Sequence, residues 1–387
     1  MNFEGYIPGK IIFGNGRIAE LPENAKNFGK KAFITTSFHE GFEVLDNILK
    51  LLDANYIDYY LFTGVTPNPT SILVDKTDEI FKKEGCDYLI GIGGGSSMDF
   101  AKAVAIRASH PKDIWNYVYL DYRDALDITE STYPVIAVPT TSGTGSEVTK
   151  WAVVTNPETF EKSFLGSEFI VPRVAIIDPE LTLTLPKILT AGTGIDALSH
   201  AIESYININS NPYSELFAKE AIKIIARYLP EAVADGRNLI AREQMSWAST
   251  LSGLAITHVG TTLVHCMGHV LSGRLNLDHG ITLAVCLEPV IKYSWTSNLE
   301  KFAKINELFE GNVSKLTIKE AAESSSEAVK KLIKQVDLDI SLSNLGVKKD
   351  MVDSLVDDVF KYTKGMLDVH PKIFAREEVK KLFLSIL

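Results

Sequence analysis

The sequence has little positive charge, few cysteines and no long apolar run. Its 39 Lys and Arg residues are outnumbered by 49 Asp and Glu, and the net charge of −10 argues against a nucleic-acid-binding surface. The longest apolar runs, such as residues 88–92 and 135–138, are far too short to cross a bilayer. The three cysteines and an amino terminus without a signal-peptide pattern predict a reducing, cytoplasmic setting. We therefore expect no nucleic-acid or membrane partner.

The chain is long enough for two domains, with 387 residues of which 45% are hydrophobic. Its first half alternates short apolar segments with amphipathic ones, which is typical of βαβ units and a parallel sheet. We expect strands at residues 31–36, 56–62, 88–92, 135–138, 152–155 and 174–177, and helices at 43–52, 71–83 and 96–108. Beyond Pro186 the apolar residues follow helical spacing, over residues 222–234, 240–256, 262–271, 281–293 and 318–336. The pattern predicts an α/β domain over residues 1–185 and an all-helical domain over residues 186–387.

Metal-type ligands are concentrated in the second half. Asp196 and His200 are four residues apart, His265 and His269 repeat that spacing, and His279 follows ten residues later. On a helix, side chains four apart project from one face. Several imidazoles with one carboxylate suit a divalent ion such as Fe2+ or Zn2+, and an open position makes that ion a Lewis acid. The pattern indicates a catalytic metal site, with two chance pairs as the alternative.

A glycine-rich turn follows the third expected strand. Gly93, Gly94 and Gly95 allow backbone amides to approach a phosphate closely, and Ser96 and Ser97 begin a helix whose amino end favours negative charge. This favours a pyrophosphate site, although a tight structural turn uses glycine as well. The run is not a GxGxxG motif at the first strand, so an ordinary Rossmann assignment is disfavoured.

A second polar loop, residues 139–147, follows the strand expected at 135–138. Its hydroxyls and glycines supply hydrogen-bonding groups for phosphate, ribose or a nicotinamide amide. The alternative is a solvated Ser/Thr turn.

Five segments, in this order and spacing, resemble the iron-containing (group III) alcohol dehydrogenase family. They are GGGSSMDFAK, PTTSGTGSEVT, IDPELTLTLP, GTGIDALSHAIESY, and an HxxxH followed ten residues later by HG. The resemblance implies a dinucleotide-binding α/β domain like that of dehydroquinate synthase, an all-helical metal-binding and substrate domain, and a catalytic cleft between them. It implies an NAD(P)-dependent alcohol dehydrogenase or aldehyde reductase for small primary alcohols or diols, of the butanol or 1,3-propanediol kind. It also implies a homodimer or larger homo-oligomer.

The resemblance assigns roles to individual residues. The metal ligands it implies are Asp196, His200, His265 and His279, and the catalytic residue is His269, an imidazole that could pass a proton to solvent. The alternative for His269 is a core histidine bonded to a backbone carbonyl. The implied cofactor-binding residues are Ser37, Asn68, Gly94, Gly95, Ser96, Asp99, Thr140, Thr141, Thr144, Ser146, Lys162 and Leu183.

The substrate pocket is expected to include Trp151, Leu254 and His258. An indole at Trp151 would narrow the space for substrate and favour small, linear alcohols, whereas its alternative role is interdomain packing. His258 stands where the family more often has asparagine. We do not expect His258 to be a ligand.

Ser37 departs from the family's NAD-using members, many of which carry an aspartate just after the first βαβ strand. A carboxylate there repels a 2′-phosphate, whereas a hydroxyl accepts a phosphate and also tolerates a ribose hydroxyl. The sequence therefore leans toward NADP.

Three other functions remain open. A glycerol dehydrogenase relative usually binds zinc through one Asp and two His, so a set of one Asp and three His favours Fe2+, with Zn2+ possible. A dehydroquinate synthase-like lyase would need a pocket rich in Lys and Arg, and residues 190–285 contain few of them. A non-catalytic scaffold subunit would be expected to have lost ligands, and none is missing.

Overall fold

The computed structural model describes residues 3–6, 9–129, 131–311 and 313–387. The chain forms two compact units, one over Tyr6–Leu185 and the other over Pro186–Leu387 together with residues 3–5. The first contains a parallel sheet with helices, and the second is helical throughout its regular elements. The expected fold class is confirmed.

The first unit is built on a six-stranded sheet in the order β1-β8-β5-β4-β2-β3, in which all neighbours are parallel. A separate antiparallel ribbon consists of β6 and β7. The strands are β1 Lys10–Phe13, β2 Lys31–Thr35, β3 Asp58–Phe62, β4 Tyr88–Gly93, β5 Val135–Pro139, β6 Trp151–Thr155, β7 Lys162–Gly166 and β8 Val174–Ile177. The helices of this unit are α1 Leu21–Ala25, α2 Glu43–Ala54, α3 Ser71–Glu84 and α4 Gly95–Ser109.

Three neighbouring strands bring the predicted cofactor loops to one edge of this sheet. Strand β4 is buried at all of its residues and pairs with β5 on one side and β2 on the other. Because these strands are parallel, the segments that leave their carboxyl ends emerge at the same edge. They are the turn after Thr35, the glycine turn at Gly93 and the hydroxyl loop after Pro139. Ligands of open α/β sheets bind at this edge.

The second unit contains helices α5 to α15. They are α5 Lys187–Ile206, α6 Pro212–Ala234, α7 Leu239–Val259, α8 Leu263–Leu275, α9 His279–Ser294, α10 Leu299–Glu310, α11 Ile318–Glu323, α12 Ser325–Gln335, α13 Val352–Tyr362, α14 Lys364–Asp368 and α15 Arg376–Ser385. Helix α5 is buried along nearly its whole length after Thr190, so polar side chains on it lie inside the unit. Over the described ranges, no single helix is long and apolar enough to cross a membrane. Helices α7 and α8 meet the criteria of length and composition only when taken together, as a pair bent by 102°.

Several elements differ from the sequence prediction, and helices α1, α10 and α13 to α15 lie outside the expected helix ranges. The pattern misses β1 and β7, each a short strand of four or five residues. Helix α6 begins ten residues earlier than expected, because Asn211 caps the backbone amides of Tyr213 and Ser214. The helix expected at 318–336 is two helices separated at Ser324, the first of three consecutive serines whose side chains compete for backbone hydrogen bonds.

Candidate active site

Three imidazoles surround one carboxylate oxygen in the helical unit. Oδ1 of Asp196 lies 3.6 Å from Nε2 of His200, 3.7 Å from Nε2 of His265 and 3.9 Å from Nε2 of His279. Asp196 and His200 lie on α5, His265 lies on α8, and His279 is the first residue of α9. The structure therefore brings together all four predicted ligands from three helices.

These spacings suit a divalent ion better than direct hydrogen bonds. The three distances are longer than a hydrogen bond, whereas the ligand atoms of a tetrahedral site with bonds of ~2.1 Å are about 3.4 Å apart. Asp196, His265 and His279 offer ligand atoms that all lie within 4.8 Å of one another. Among the described residues, the buried Nε2 of His265 has no hydrogen-bond partner. One carboxylate and three imidazoles fit Fe2+ or Zn2+.

His269 lies beside this cluster, as predicted for a catalytic histidine at this position. It is buried, and its ring centroid lies 5.3 Å from that of His279 and 6.0 Å from that of His265. The imidazole is thus close to the ligand atoms. Its catalytic role stays a prediction.

Glu203, which is not among the residues predicted from the sequence, is fully buried and contacts His265. Its carboxylate accepts from Nδ1 of His265. Burial alone would raise the pKa of Glu203, but the facing imidazole of His265 and the hydroxyl of Thr262 lower that pKa below its ordinary value. Burial alone would lower the pKa of His265, but the carboxylates of Glu203 and Asp196 raise that pKa to about 9. Glu203 lies seven residues after Asp196 and three after His200, on the same face of α5. That spacing is the signal that could have identified it.

Two of the residues predicted for the substrate pocket, Leu254 and His258, contact each other on α7 in the helical unit, and the third, Trp151, belongs to the first unit. Nδ1 of His258 lies 2.7 Å from the carbonyl oxygen of Leu254, and its ring packs edge-on against Tyr213 at 4.9 Å. Leu254 is buried on α7. Trp151 is the first residue of β6, and its ring packs edge-on against Phe164 of the neighbouring strand β7.

Nothing larger than glycine fits beside that indole at Gly166, where an added Cβ would lie 2.1 Å from the Trp151 ring. The Trp151 indole therefore packs on Gly166, a residue of the same compact unit. A role for Trp151 in the substrate pocket stays a prediction.

The glycine turn and the hydroxyl loop are packed directly on each other. A Cβ added at Gly95 would lie 2.5 Å from Cγ2 of Thr144, and one added at Gly94 would lie 3.3 Å from Cγ2 of Thr141. Gly93 has a φ of +139°, which side chains rarely adopt. The glycines therefore allow a close approach of two backbone segments, in addition to any approach by a phosphate.

Two charged residues on α4, the partly buried Asp99 and the fully buried Lys102, anchor the hydroxyl loop. Asp99 accepts hydrogen bonds from Oγ of Ser146 at 2.6 Å and from the backbone amide of Val153 at 3.0 Å. Lys102, which the sequence analysis missed, donates to the carbonyl oxygens of Ser146 and Trp151 at 2.6 and 2.8 Å, and also to that of Thr149. Burial raises the pKa of Asp99 and lowers that of Lys102 to about 8. Asp99 and Ser146 thus hold the loop in place and are not both free for a cofactor.

Other predicted cofactor residues lie at the same edge of the sheet or on the ribbon. The Ser37 side chain is exposed just beyond β2, and its Oγ lies 3.9 Å from where Gly93 would carry a Cβ. Lys162 on β7 donates to the side-chain oxygen of Asn68 at 2.8 Å. Leu183 follows a 3-10 turn, Pro179–Thr182, after β8. Ser96 lies in the first turn of α4, and Thr140 lies in the hydroxyl loop. Cofactor binding by these residues stays a prediction.

Comparison with protein families identifies two matching models. A model of iron-containing alcohol dehydrogenase matches residues 8–179, and a model of the C-terminal part of the Fe-containing alcohol dehydrogenase family matches residues 190–387. Together they cover both compact units.

Individual relatives agree with these family matches. The chain is 39% identical to the 1,3-propanediol dehydrogenase of Citrobacter freundii, over 90% of this chain and 89% of that one. It is 36% identical to the NAD-dependent methanol dehydrogenase of Bacillus methanolicus, over 92% of each. A crystal structure of a 1,3-propanediol oxidoreductase superposes with a TM-score of 0.92 at 35% identity, over the full length of both chains.

Proposed function

The chain belongs to the iron-containing alcohol dehydrogenase family, and we propose that it interconverts a small primary alcohol or diol and its aldehyde with NAD(P) and one bound divalent ion. The observation that carries this proposal is the arrangement of three imidazole Nε2 atoms at 3.6–3.9 Å around Oδ1 of Asp196. Fe2+ is the favoured ion, and Zn2+ suits the same donors.

Asp196, His200, His265 and His279 would hold the ion. A divalent ion bound there supplies Lewis acidity, which favours loss of the proton from a nearby alcohol and polarises a nearby aldehyde. The imidazole of His269 then exchanges that proton with solvent through a ring nitrogen, since imidazoles titrate near neutral pH. Its ring lies 5.3 Å from that of His279, which supports this role.

The substrate class follows from the relatives and from the chemistry of the site. The relatives are named for 1,3-propanediol and for methanol, both small primary alcohols. Steady-state oxidation of methanol, ethanol, butanol, 1,3-propanediol, glycerol and 2-propanol, each with NAD and with NADP, tests the proposal. We expect the primary alcohols and the diol to be oxidised faster than 2-propanol. Turnover of glycerol above all the others would favour the glycerol dehydrogenase alternative instead.

Ser37 supports a preference for NADP, although the methanol dehydrogenase relative is named for NAD. Replacing Ser37 with aspartate should weaken NADP binding by about ten-fold or more relative to NAD. A carboxylate within a few ångströms of a 2′-phosphate adds repulsion of roughly 1–3 kcal/mol. Dissociation constants of both cofactors, measured by fluorescence titration, check this.

Ser131→Asp is the matched control, because it adds the same charge before the amino end of β5, at the opposite edge of the sheet. It should leave the NADP to NAD ratio unchanged. An equal response of both cofactors to Ser37→Asp would show that Ser37 does not face the 2′ position.

Replacing Trp151 with alanine should raise kcat/KM for bulky aldehydes relative to a short one by ~10-fold or more, because removing a large group from a pocket typically shifts discrimination by about 1–3 kcal/mol. Phe164→Ala is the control, since it removes the ring that packs against the indole and leaves the indole itself. A lower melting temperature in both variants with an unchanged substrate ratio would assign Trp151 to packing alone.

The cellular setting and the assembly complete the proposal. The cysteine content supports a reducing, cytoplasmic environment, and the family supports a homodimer or larger homo-oligomer. The partners are then a small alcohol or aldehyde, the cofactor and further copies of this chain. Sedimentation velocity at several protein concentrations measures the assembly.

A further inference from the structure

We propose that Glu203 is the positioning residue of the metal centre: it sets the tautomer and orientation of His265 so that Nε2 is available to the ion. This inference rests on the proposed function, because it assumes that His265 is a ligand. The residue lies behind the imidazole, on the side away from Asp196. It therefore acts through His265 and not on the substrate.

One oxygen of Glu203 is fully used as a helix cap. Oε1 accepts from the backbone amides of Thr262, Val264 and His265 at 2.9, 2.8 and 3.3 Å, and from the hydroxyl of Thr262 at 2.9 Å. These groups form the amino end of α8, where backbone amides have no partner within the helix. Glu203 belongs to α5, but these hydrogen bonds fix its carboxylate at the amino end of α8, the helix that carries His265.

The other oxygen determines which nitrogen of His265 carries the proton. Oε2 contacts Nδ1 of the imidazole. An ionised carboxylate only accepts hydrogen bonds, so Nδ1 must carry hydrogen. In the neutral ring the lone pair is then on Nε2, the atom that lies 3.7 Å from Oδ1 of Asp196. Glu203 therefore presents the free nitrogen to the cluster of ligand atoms.

A chain of buried polar groups supports Glu203 from behind. The Thr262 hydroxyl donates to Oε1, so it can accept from Nδ1 of His370 at 3.0 Å. Nε2 of His370 then accepts from the hydroxyl of Ser294 at 2.9 Å. All of these residues are buried. The chain gives each group one consistent donor or acceptor role.

Substitution by glutamine separates this role from simple capping. In Glu203→Gln the amide oxygen can replace Oε1 and still accept the four hydrogen bonds from the end of α8. The amide nitrogen then replaces Oε2, and it donates where an acceptor is needed. Because two donors would face each other, His265 must move its proton to Nε2, which removes the lone pair that an ion requires. A residue that only caps α8 would tolerate this change.

The experiment compares Zn2+ affinity of the full-length wild type, Glu203→Gln and a control, by competition with a chromogenic chelator. The control is Asp358→Asn, which also converts a largely buried carboxylate to an amide in the helical unit but contacts Arg274 and not a histidine of the cluster. We expect Glu203→Gln to bind Zn2+ about 10–100-fold more weakly than the wild type, and Asp358→Asn to match the wild type. The visible spectrum of the Co2+-loaded protein should change only in Glu203→Gln.

The outcomes separate this inference from the proposed function. A wild type that binds no Zn2+ or Co2+ contradicts the proposed function and the inference with it. A wild type and a Glu203→Gln variant that bind Zn2+ equally contradict the inference alone. If Glu203→Gln does not fold, NMR of the Zn2+-loaded wild type labelled with 15N-histidine determines which nitrogen of His265 carries the proton. The His265 signal is assigned by its absence from the spectrum of His265→Gln. A proton on Nδ1 of His265 supports the inference, and a proton on Nε2 overturns it.

Discussion

Replacing His265 with alanine should abolish stable binding of the divalent ion and lower kcat/KM for alcohol oxidation by about three orders of magnitude or more. The imidazole is one of three whose Nε2 atoms face Oδ1 of Asp196, at 3.7 Å. Its loss leaves an incomplete ligand set, and the Lewis acid is lost with the ion. Metal content by mass spectrometry and steady-state kinetics on the same preparation measure both effects.

His258→Ala is the control for metal content. This imidazole is on α7, where its Nδ1 contacts the carbonyl oxygen of Leu254 and its ring packs edge-on against Tyr213. It should keep one ion per chain. Equal metal content in His265→Ala and the wild type would exclude His265 as a ligand, whatever happens to the activity.

Replacing Gly280 with alanine should reduce the free energy of unfolding by about 1–3 kcal/mol or more and weaken metal binding as well. An added Cβ would lie 2.3 Å from the carbonyl oxygen and 2.4 Å from the carbonyl carbon of Gly192, which are backbone atoms that cannot rotate away. Helices α5 and α9 would have to separate. Because α5 carries Asp196 and α9 carries His279, the separation should also open the cluster of ligands.

Gly192, the partner of Gly280 in this contact, provides the control variant. A Cβ added at Gly192 would meet nothing closer than Oδ1 of Asp278 at 3.5 Å, an ordinary contact. Gly192→Ala should therefore be neutral, or stabilising by up to about 1 kcal/mol because alanine favours a helix over glycine. Denaturant unfolding of both variants, with and without a chelator, measures the difference. Equal stability of the two variants would contradict the close approach of the helices.

The fold class could be predicted because its signals are local. The alternation of short apolar strands with amphipathic helices as far as β5, and the helical spacing after Pro186, are both periodic patterns that a single sequence displays. The strands β1 and β7 lie outside that alternation, because β1 precedes the first expected strand and β7 pairs with β6 in an antiparallel ribbon. The boundary at Ser324 depends on side chains that compete for backbone hydrogen bonds, which spacing alone does not reveal.

The candidate site could be predicted only in part. Asp196 and His265 belong to pairs four residues apart, so helical geometry points to each pair, and the resemblance to a family joins them with His279. Glu203 and Lys102 were missed because their roles depend on partners about 60 and 45 residues away in sequence, at the end of α8 and in the hydroxyl loop. The available signals were the spacing of Glu203 from Asp196 and His200 on one helix face, and for Lys102 a lysine within an apolar stretch.

Metal removal and restoration test the central claim most directly. Protein purified without oxygen should contain one divalent ion per chain, lose alcohol oxidation when a chelator removes that ion, and recover it on addition of Fe2+ or, in part, Zn2+. The ligand set of Asp196, His200, His265 and His279 predicts this result. Full activity in a preparation shown to be free of metal would contradict it.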